Sequence, residues 1–187
     1  MNEKQFLAEY FDRYRQSIFG TDMNSQLIEL KGLMSGVHAD GKKVIIAGNG
    51  GSATIASHCA VDFSKNAHIR CVNFNETGLV TCLSNDYGYE RWIEKALELY
   101  ADGGDLIILI SSSGKSINMV KAADYARSKD HVLVTFTGFL SDNPLKMRGD
   151  LNFWVDSRAY NIVEMTHQMW LLAVCDLIIG SAEYPAS

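Results

Sequence analysis

Two short polar stretches carry residue types suited to chemistry: Ser111-Ser112-Ser113-Gly114-Lys115-Ser116 and Gly48-Asn49-Gly50-Gly51-Ser52. Each follows an apolar run and opens a segment with helical spacing. Hydroxyls, glycine backbone and unpartnered N–H groups therefore meet at a helix N-terminus. Such a terminus carries partial positive charge, so the combination suits an anion, above all a phosphate. The glycines let backbone approach a ligand closely, and Ser52 is a natural N-cap. Neither stretch is a standard nucleotide loop. Lys115-Ser116 lacks the glycine spacing of a Walker A loop, and Gly48–Ser52 lacks the third glycine of the dinucleotide fingerprint. The structural alternative for the serines is an N-cap without a ligand. His58 and Asp62 stand four apart in the segment after the glycines, which places both on one helix face. Two metal ligands, an acid/base pair and a local salt bridge all fit that spacing.

The elements that must position these groups are legible from apolar patterning. Leu106–Ile110 is a run of five apolar residues, three of them β-branched, after the turn Asp102-Gly-Gly-Asp105. It reads as a strand buried on both faces, as does Val44–Ala47. Residues 71–74, 131–136 and 151–155 add three strands. Helices are expected from Ala53 to about Asn66, over 89–100, from Ile117 onward, and over 161–179 up to Gly180. Residues 76–85 read as a helical turn, and 138–149 as a short connection around Asn143-Pro144. Strands alternating with helices predict an α/β fold: a five-stranded parallel sheet with helices on both faces, wound right-handed. Open sheets of this kind bind ligands at the carboxyl ends of their strands, where both polar loops fall.

Ahead of this unit lie two amphipathic helices. Phe6, Tyr10, Tyr14 and Ile18 form one stripe over residues 1–19, with Leu7 and Phe11 beside it, and Gly20-Thr-Asp22 ends it. Leu27, Leu30, Met34 and Val37 mark the second. Their apolar faces either cover their own domain or form an oligomer interface.

At 187 residues the chain is expected to be one domain. A net charge of −5 argues against nucleic-acid or membrane-surface binding. No apolar run approaches the roughly 20 residues of a membrane helix, and Met1–Gln5 lacks a signal-peptide layout. Cys59, Cys71, Cys82 and Cys175 are scattered, which suits reduced thiols in a cytoplasmic protein.

Gly48–Ser52, Leu83-Ser-Asn-Asp-Tyr-Gly88 and Ser111–Ser116, in that order and spacing, resemble the signatures of the SIS (sugar isomerase) domain. The phosphoheptose isomerase branch is the nearest likeness, and it runs from about Leu27 to Ile179. The resemblance implies a single SIS domain over 1–187. Residues 1–38 would be a helical pair for oligomerisation, and 39–187 a flavodoxin-like three-layer core that binds sugar phosphate. It implies a homotetramer, and isomerisation of sedoheptulose 7-phosphate to D-glycero-D-manno-heptose 7-phosphate for lipopolysaccharide or capsule synthesis. The runner-up is a non-catalytic phosphosugar-binding or protein-interaction module, or an isomerase of another sugar phosphate.

Carried onto this chain, the resemblance gives Ser111, Ser112, Ser113 and Ser116 to the phosphate, with Lys115 nearby. Asn49, Gly50, Gly51, Ser52, Asn85 and Asp86 fall to the sugar, and an ordinary turn is the alternative for Asn85-Asp86. His58 and Asp62 match a His/Glu pair that serves a zinc site, so zinc is a candidate cofactor and Asp62 the candidate base. The other half of that site, a Gln and a His eight apart on the last helix, falls on Val163 and Leu171, or after a one-residue shift on Glu164 and Leu172. Glu164 and His167, three apart, share a face as a replacement acid/base pair. His167 with Cys175, eight apart, is a displaced metal half-site, and His167 at a subunit contact is the alternative. The family's basic residue after the carboxylate matches Asn66, and its acidic residue before the last helix matches Tyr160.

Overall fold

The structure is a computed structural model and describes residues 2–184. Two helices lead, α1 (Glu3–Phe19) and α2 (Asn24–Ala39). The core follows as β1 (Val44–Gly48), α3 (Gly51–Lys65), β2 (Cys71–Val72), α4 (Thr77–Tyr87), α5 (Trp92–Tyr100), β3 (Leu106–Ser111), α6 (Ile117–Ser128), β4 (Val132–Thr137), a 3-10 turn at Lys146–Arg148, β5 (Leu151–Trp154) and α7 (Tyr160–Ile179). The five strands form one sheet in the order β2-β1-β3-β4-β5, and every pairing is parallel.

Two hydrophobic clusters flank the sheet, and alternate residues of the same strands feed them. Val44 and Ile46 of β1, with Leu106, Ile108 and Ile110 of β3, pack with residues of α2, α3 and α7. Ile45 and Ala47, with Ile107 and Leu109, pack with residues of α5 and α6. Period-two alternation inside an all-apolar strand is what burial on both faces requires. The result is the expected three-layer α/β sandwich.

The differences from expectation are local. The helical turn expected over 76–85 is a full helix, Thr77–Tyr87, which the Glu76 carboxylate caps, accepting from the N–H groups of Gly78 at 2.8 Å and Leu79 at 2.7 Å. Those bonds hold the Glu76 carboxyl below the usual carboxylate range. The strand expected over 71–74 pairs only at Cys71 and Val72. At the glycine loop the N-cap is Gly50, with φ 54°, and Ser52 lies buried inside the first turn of α3. α7 is long and apolar enough to cross a membrane by length and composition, although Glu164, His167, Gln168 and Asp176 interrupt its apolar residues. Here it serves as a core helix against α1, α2, α3 and β4.

Candidate active site

The chain leaves β1 toward β2 on one side and β3 toward β4 on the other. β1 and β3 are therefore neighbours whose connections run opposite ways, which opens a crevice beyond their carboxyl ends. The glycine loop follows β1 and the serine loop follows β3, so both loops meet at that crevice. A cavity of about 140 Å³ lies there, lined by Asn49, Ser52, Ser111, Ser112, Ser113 and Ser116, and closed by Tyr160 and Glu164 of α7.

The hydroxyls in this cavity are loosely engaged. Ser111 Oγ donates to Ser116 Oγ at 3.4 Å, and Ser112 Oγ to Glu164 Oε1 at 3.5 Å. Ser113 Oγ accepts from the Lys115 N–H at 3.3 Å. Bonds of that length are weak, so a ligand anion competes for the donors at small cost. The loop itself is stiff. Gly114 has φ +63°, and a Cβ there would lie 1.9 Å from Asn143 Oδ1. The buried Asn143 donates through Nδ2 to Leu140 O at 2.8 Å, and its Oδ1 accepts from the Lys146 N–H at 2.9 Å. It thus braces the serine loop from the β4–β5 connection.

At the other wall the Glu164 side chain lies where a Cβ on Gly51 would go. A Cβ on Gly51 would lie 2.5 Å from Glu164 Oε2. The Glu164 carboxylate is therefore packed over the glycine loop and against Ser112.

Two groups absent from the sequence reading tie the site together. Asn118, buried in the first turn of α6, exchanges amide bonds with Asn49, each at 2.9 Å. Tyr89 Oη also donates to Asn49 Oδ1, at 3.1 Å. Asn49 is thereby held between both loops. The signal was an amide two residues into a helix whose neighbours are apolar, a place where an unpaired polar group is costly. The second group is Gln168. Its Nε2 donates to His58 Nδ1 at 2.9 Å, while His58 Nε2 stands 3.0 Å from Asp62 Oδ2. Asp62 Oδ1 also accepts from Asn66 Nδ2 at 3.2 Å. With Nδ1 accepting, the imidazole proton sits on Nε2 and faces Asp62. Glu164 and Gln168 are four apart, so the His58–Asp62 dyad lies one helical turn along α7 from Glu164.

Two expectations are corrected. His167 does not reach the crevice: it is fully buried, its Nε2 donates to Thr137 O at 3.0 Å, and its ring meets Phe136 edge-on at 5.6 Å. Burial pushes its pKa down to about 4, so it stays neutral. Asn85 and Asp86 are exposed at the end of α4, bonded to each other at 2.9 Å, and do not line the serine cavity. Lys115 is exposed and is not among the residues that line the serine cavity. The zinc expectation also finds no donor set. Among the described residues no group of three or more His, Cys, Asp or Glu side chains is placed to hold a metal. Both His58 nitrogens are engaged, Val163 and Leu171 are fully buried, and burial with the nearby Asp62 charge pushes the Cys175 thiol up to about 12. These residues do not fit a zinc site within one chain.

The fold and crevice define a doubly wound α/β protein whose ligand edge suits a phosphorylated compound. Residues 9–138 match the family described as SIS domain. The chain is 30% identical over 168 residues to a phosphoheptose isomerase of Fusobacterium nucleatum, covering 86% of this chain and 85% of that one. In structure it superimposes on a phosphoheptose isomerase from Francisella tularensis with a TM-score of 0.89, over 97% of this chain and all of that one, at 21% identity. A phosphoheptose isomerase from Neisseria gonorrhoeae gives 0.85 over 95% and 99% of the two chains, at 24% identity. The chain belongs to the SIS domain family, among the phosphoheptose isomerases.

Proposed function

We propose that this protein is an aldose–ketose isomerase that converts sedoheptulose 7-phosphate to D-glycero-D-manno-heptose 7-phosphate. The observation that carries the reading is a carboxylate, Glu164, on the wall of a serine-lined cavity at the switch point of the sheet. Isomerisation needs a grip on the phosphate and a base beside the carbon chain. The base takes the proton α to the carbonyl, an enediolate forms, and the proton returns to the neighbouring carbon. Ser111, Ser112, Ser113 and Ser116 provide the grip, and the binding energy of the remote phosphate fixes the carbon chain. Glu164 is the base. Asp62, the base expected from the sequence, has its carboxylate engaged by His58 and Asn66, and the His58–Asp62 dyad handles the proton exchanged at the oxygen end.

The same reading is metal-independent, because the chain supplies acid, base and phosphate donors without a metal-binding set. It is also oligomeric. α1 buries none of its own residues and exposes Phe6, Leu7, Phe11 and Phe19, an apolar face suited to association of copies into a tetramer. A cytoplasmic place in heptose supply for lipopolysaccharide or capsule accords with that substrate.

The test is an NMR assay of chelator-treated protein with sedoheptulose 7-phosphate, with and without added zinc. Metal-independent formation of the aldose 7-phosphate is expected. Turnover that appears only with zinc overturns the metal-free assignment. Failure under both conditions, with the ketose signals still broadened by binding, favours the binding-module reading.

A further inference from the structure

We propose a second anion site at the β5 edge of the sheet, where Arg13 and Arg158 receive the phosphate of a phosphorylated sugar or polyol. The chain has seven arginines. Arg15, Arg91, Arg127 and Arg148 pair with carboxylates, and Arg70 donates to Gly41 O at 2.7 Å. Arg13 and Arg158 alone have neither an ion pair nor a hydrogen bond among the described residues, and both line one cavity of about 470 Å³. In a chain of net charge −5, the two unpaired guanidiniums converge on a single place.

The rest of the lining suits the same ligand. Trp154 borders the cavity, and its Nε1 is a buried donor without a partner. Such an unpaired donor is costly, and a turn of the indole would bring it to an acceptor in the cavity. Ser17, Thr21 and Ser157 supply hydroxyls. Asp156 also borders the cavity, which leaves a net local charge of one positive unit. Guanidinium forks match phosphate oxygens in a bidentate manner, which ammonium groups do not. The volume exceeds what inorganic phosphate fills and falls in the range of small-metabolite sites, of order 300–1,000 Å³. The overall negative charge gives no general attraction for anions, so binding here is local.

This site borders the serine cavity through a shared segment. Arg158 and Ile162 face the second site, while Tyr160 and Glu164 face the first. An occupant that grips Arg158 bears on the first turn of α7, and so on the placement of Glu164. The proposal does not depend on which sugar phosphate the serine cavity isomerises.

The experiment uses inorganic pyrophosphate as the probe and the full-length Ser112→Ala/Ser116→Ala variant, which disables the first site. Calorimetry is expected to show one pyrophosphate per chain, accompanied by a change in tryptophan fluorescence that Trp154→Phe and Trp170→Phe together remove, since both indoles border the cavity. Arg158→Gln or Arg13→Gln in the same background should weaken binding at least tenfold, with a smaller loss for Arg158→Lys. Both arginines are exposed, so far-ultraviolet circular dichroism should be unchanged. Absence of binding in the serine variant overturns the second site, as does binding that is indifferent to both arginines. In the otherwise native enzyme, pyrophosphate should alter kcat in a manner that Arg158→Gln abolishes; an equal effect in that variant overturns the coupling.

Discussion

Glu164→Gln separates the two tasks assigned to the cavity. Ser112 Oγ lies 3.5 Å from Glu164 Oε1. A phosphate that takes over this hydroxyl places an oxygen about 2.7 Å from it, so phosphate and carboxylate charges stand about 5 Å apart. At an effective dielectric constant of about 20, two unit charges at that distance repel by about 3 kcal/mol. Glu164 is half-buried, and salt and water screen part of this, so about 1.5 kcal/mol is the working figure. The amide keeps the shape and removes the charge. Inorganic phosphate should therefore bind the variant about tenfold more tightly. Turnover should fall by about 10²- to 10⁴-fold, because the base is lost. Calorimetry with phosphate and the NMR assay read the two effects separately. Equal or weaker phosphate binding by Glu164→Gln would refute the shared-cavity geometry, whatever happens to the rate.

Asn118→Ala removes the amide exchange that joins the two loops and leaves Asn49 half-satisfied. It should cost about 2 kcal/mol in stability by chemical denaturation and raise KM more than it lowers kcat. Gly114→Ala forces a side chain into a left-handed backbone and onto Asn143, so a loss of at least about 2 kcal/mol is expected in the same measurement. The folded-state pKa of His167, about 4, lies below its ordinary 6.5, so the unfolded chain binds more protons between those values. Stability should fall as pH drops from 6.5 toward 4, by up to about 3 kcal/mol. His167→Gln keeps a donor for Thr137 O and should flatten that decline, and parallel thermal-denaturation curves for the two proteins would contradict the burial argument.

The sheet was legible because its strands are buried on both faces. A run such as Leu106–Ile110 has no polar residue to blur its limits, and the abrupt change to serine marks where the strand ends. The loops were legible for a related reason: hydroxyls and glycines at a strand-to-helix junction have few structural uses. The α4 cap was missed because glutamate is not among the usual N-cap residues, and only the bent-back carboxylate of Glu76 supplies the two bonds. Asn118 was missed because its partner is 69 residues away, where no local spacing rule applies.

α7 shows where periodicity itself runs out. Ile162, Val163, Thr166, His167, Trp170, Leu171, Val174 and Cys175 are all buried, and they span too much of the helix circumference to leave one clear polar face. Spacing alone then allowed Glu164 to share its working face with His167 three residues on or with Gln168 four residues on, since both are neighbours on a helix. The choice rests with what each neighbour meets. A histidine that turns toward β4 finds the Thr137 carbonyl and the Phe136 ring, and it is sealed from water. A glutamine one residue later turns toward α3 and finds His58 across 110 residues of chain. The catalytic reading of α7 therefore moves by a single residue, and with it the second group passes from a buried, neutral imidazole to an amide that orients the His58–Asp62 dyad.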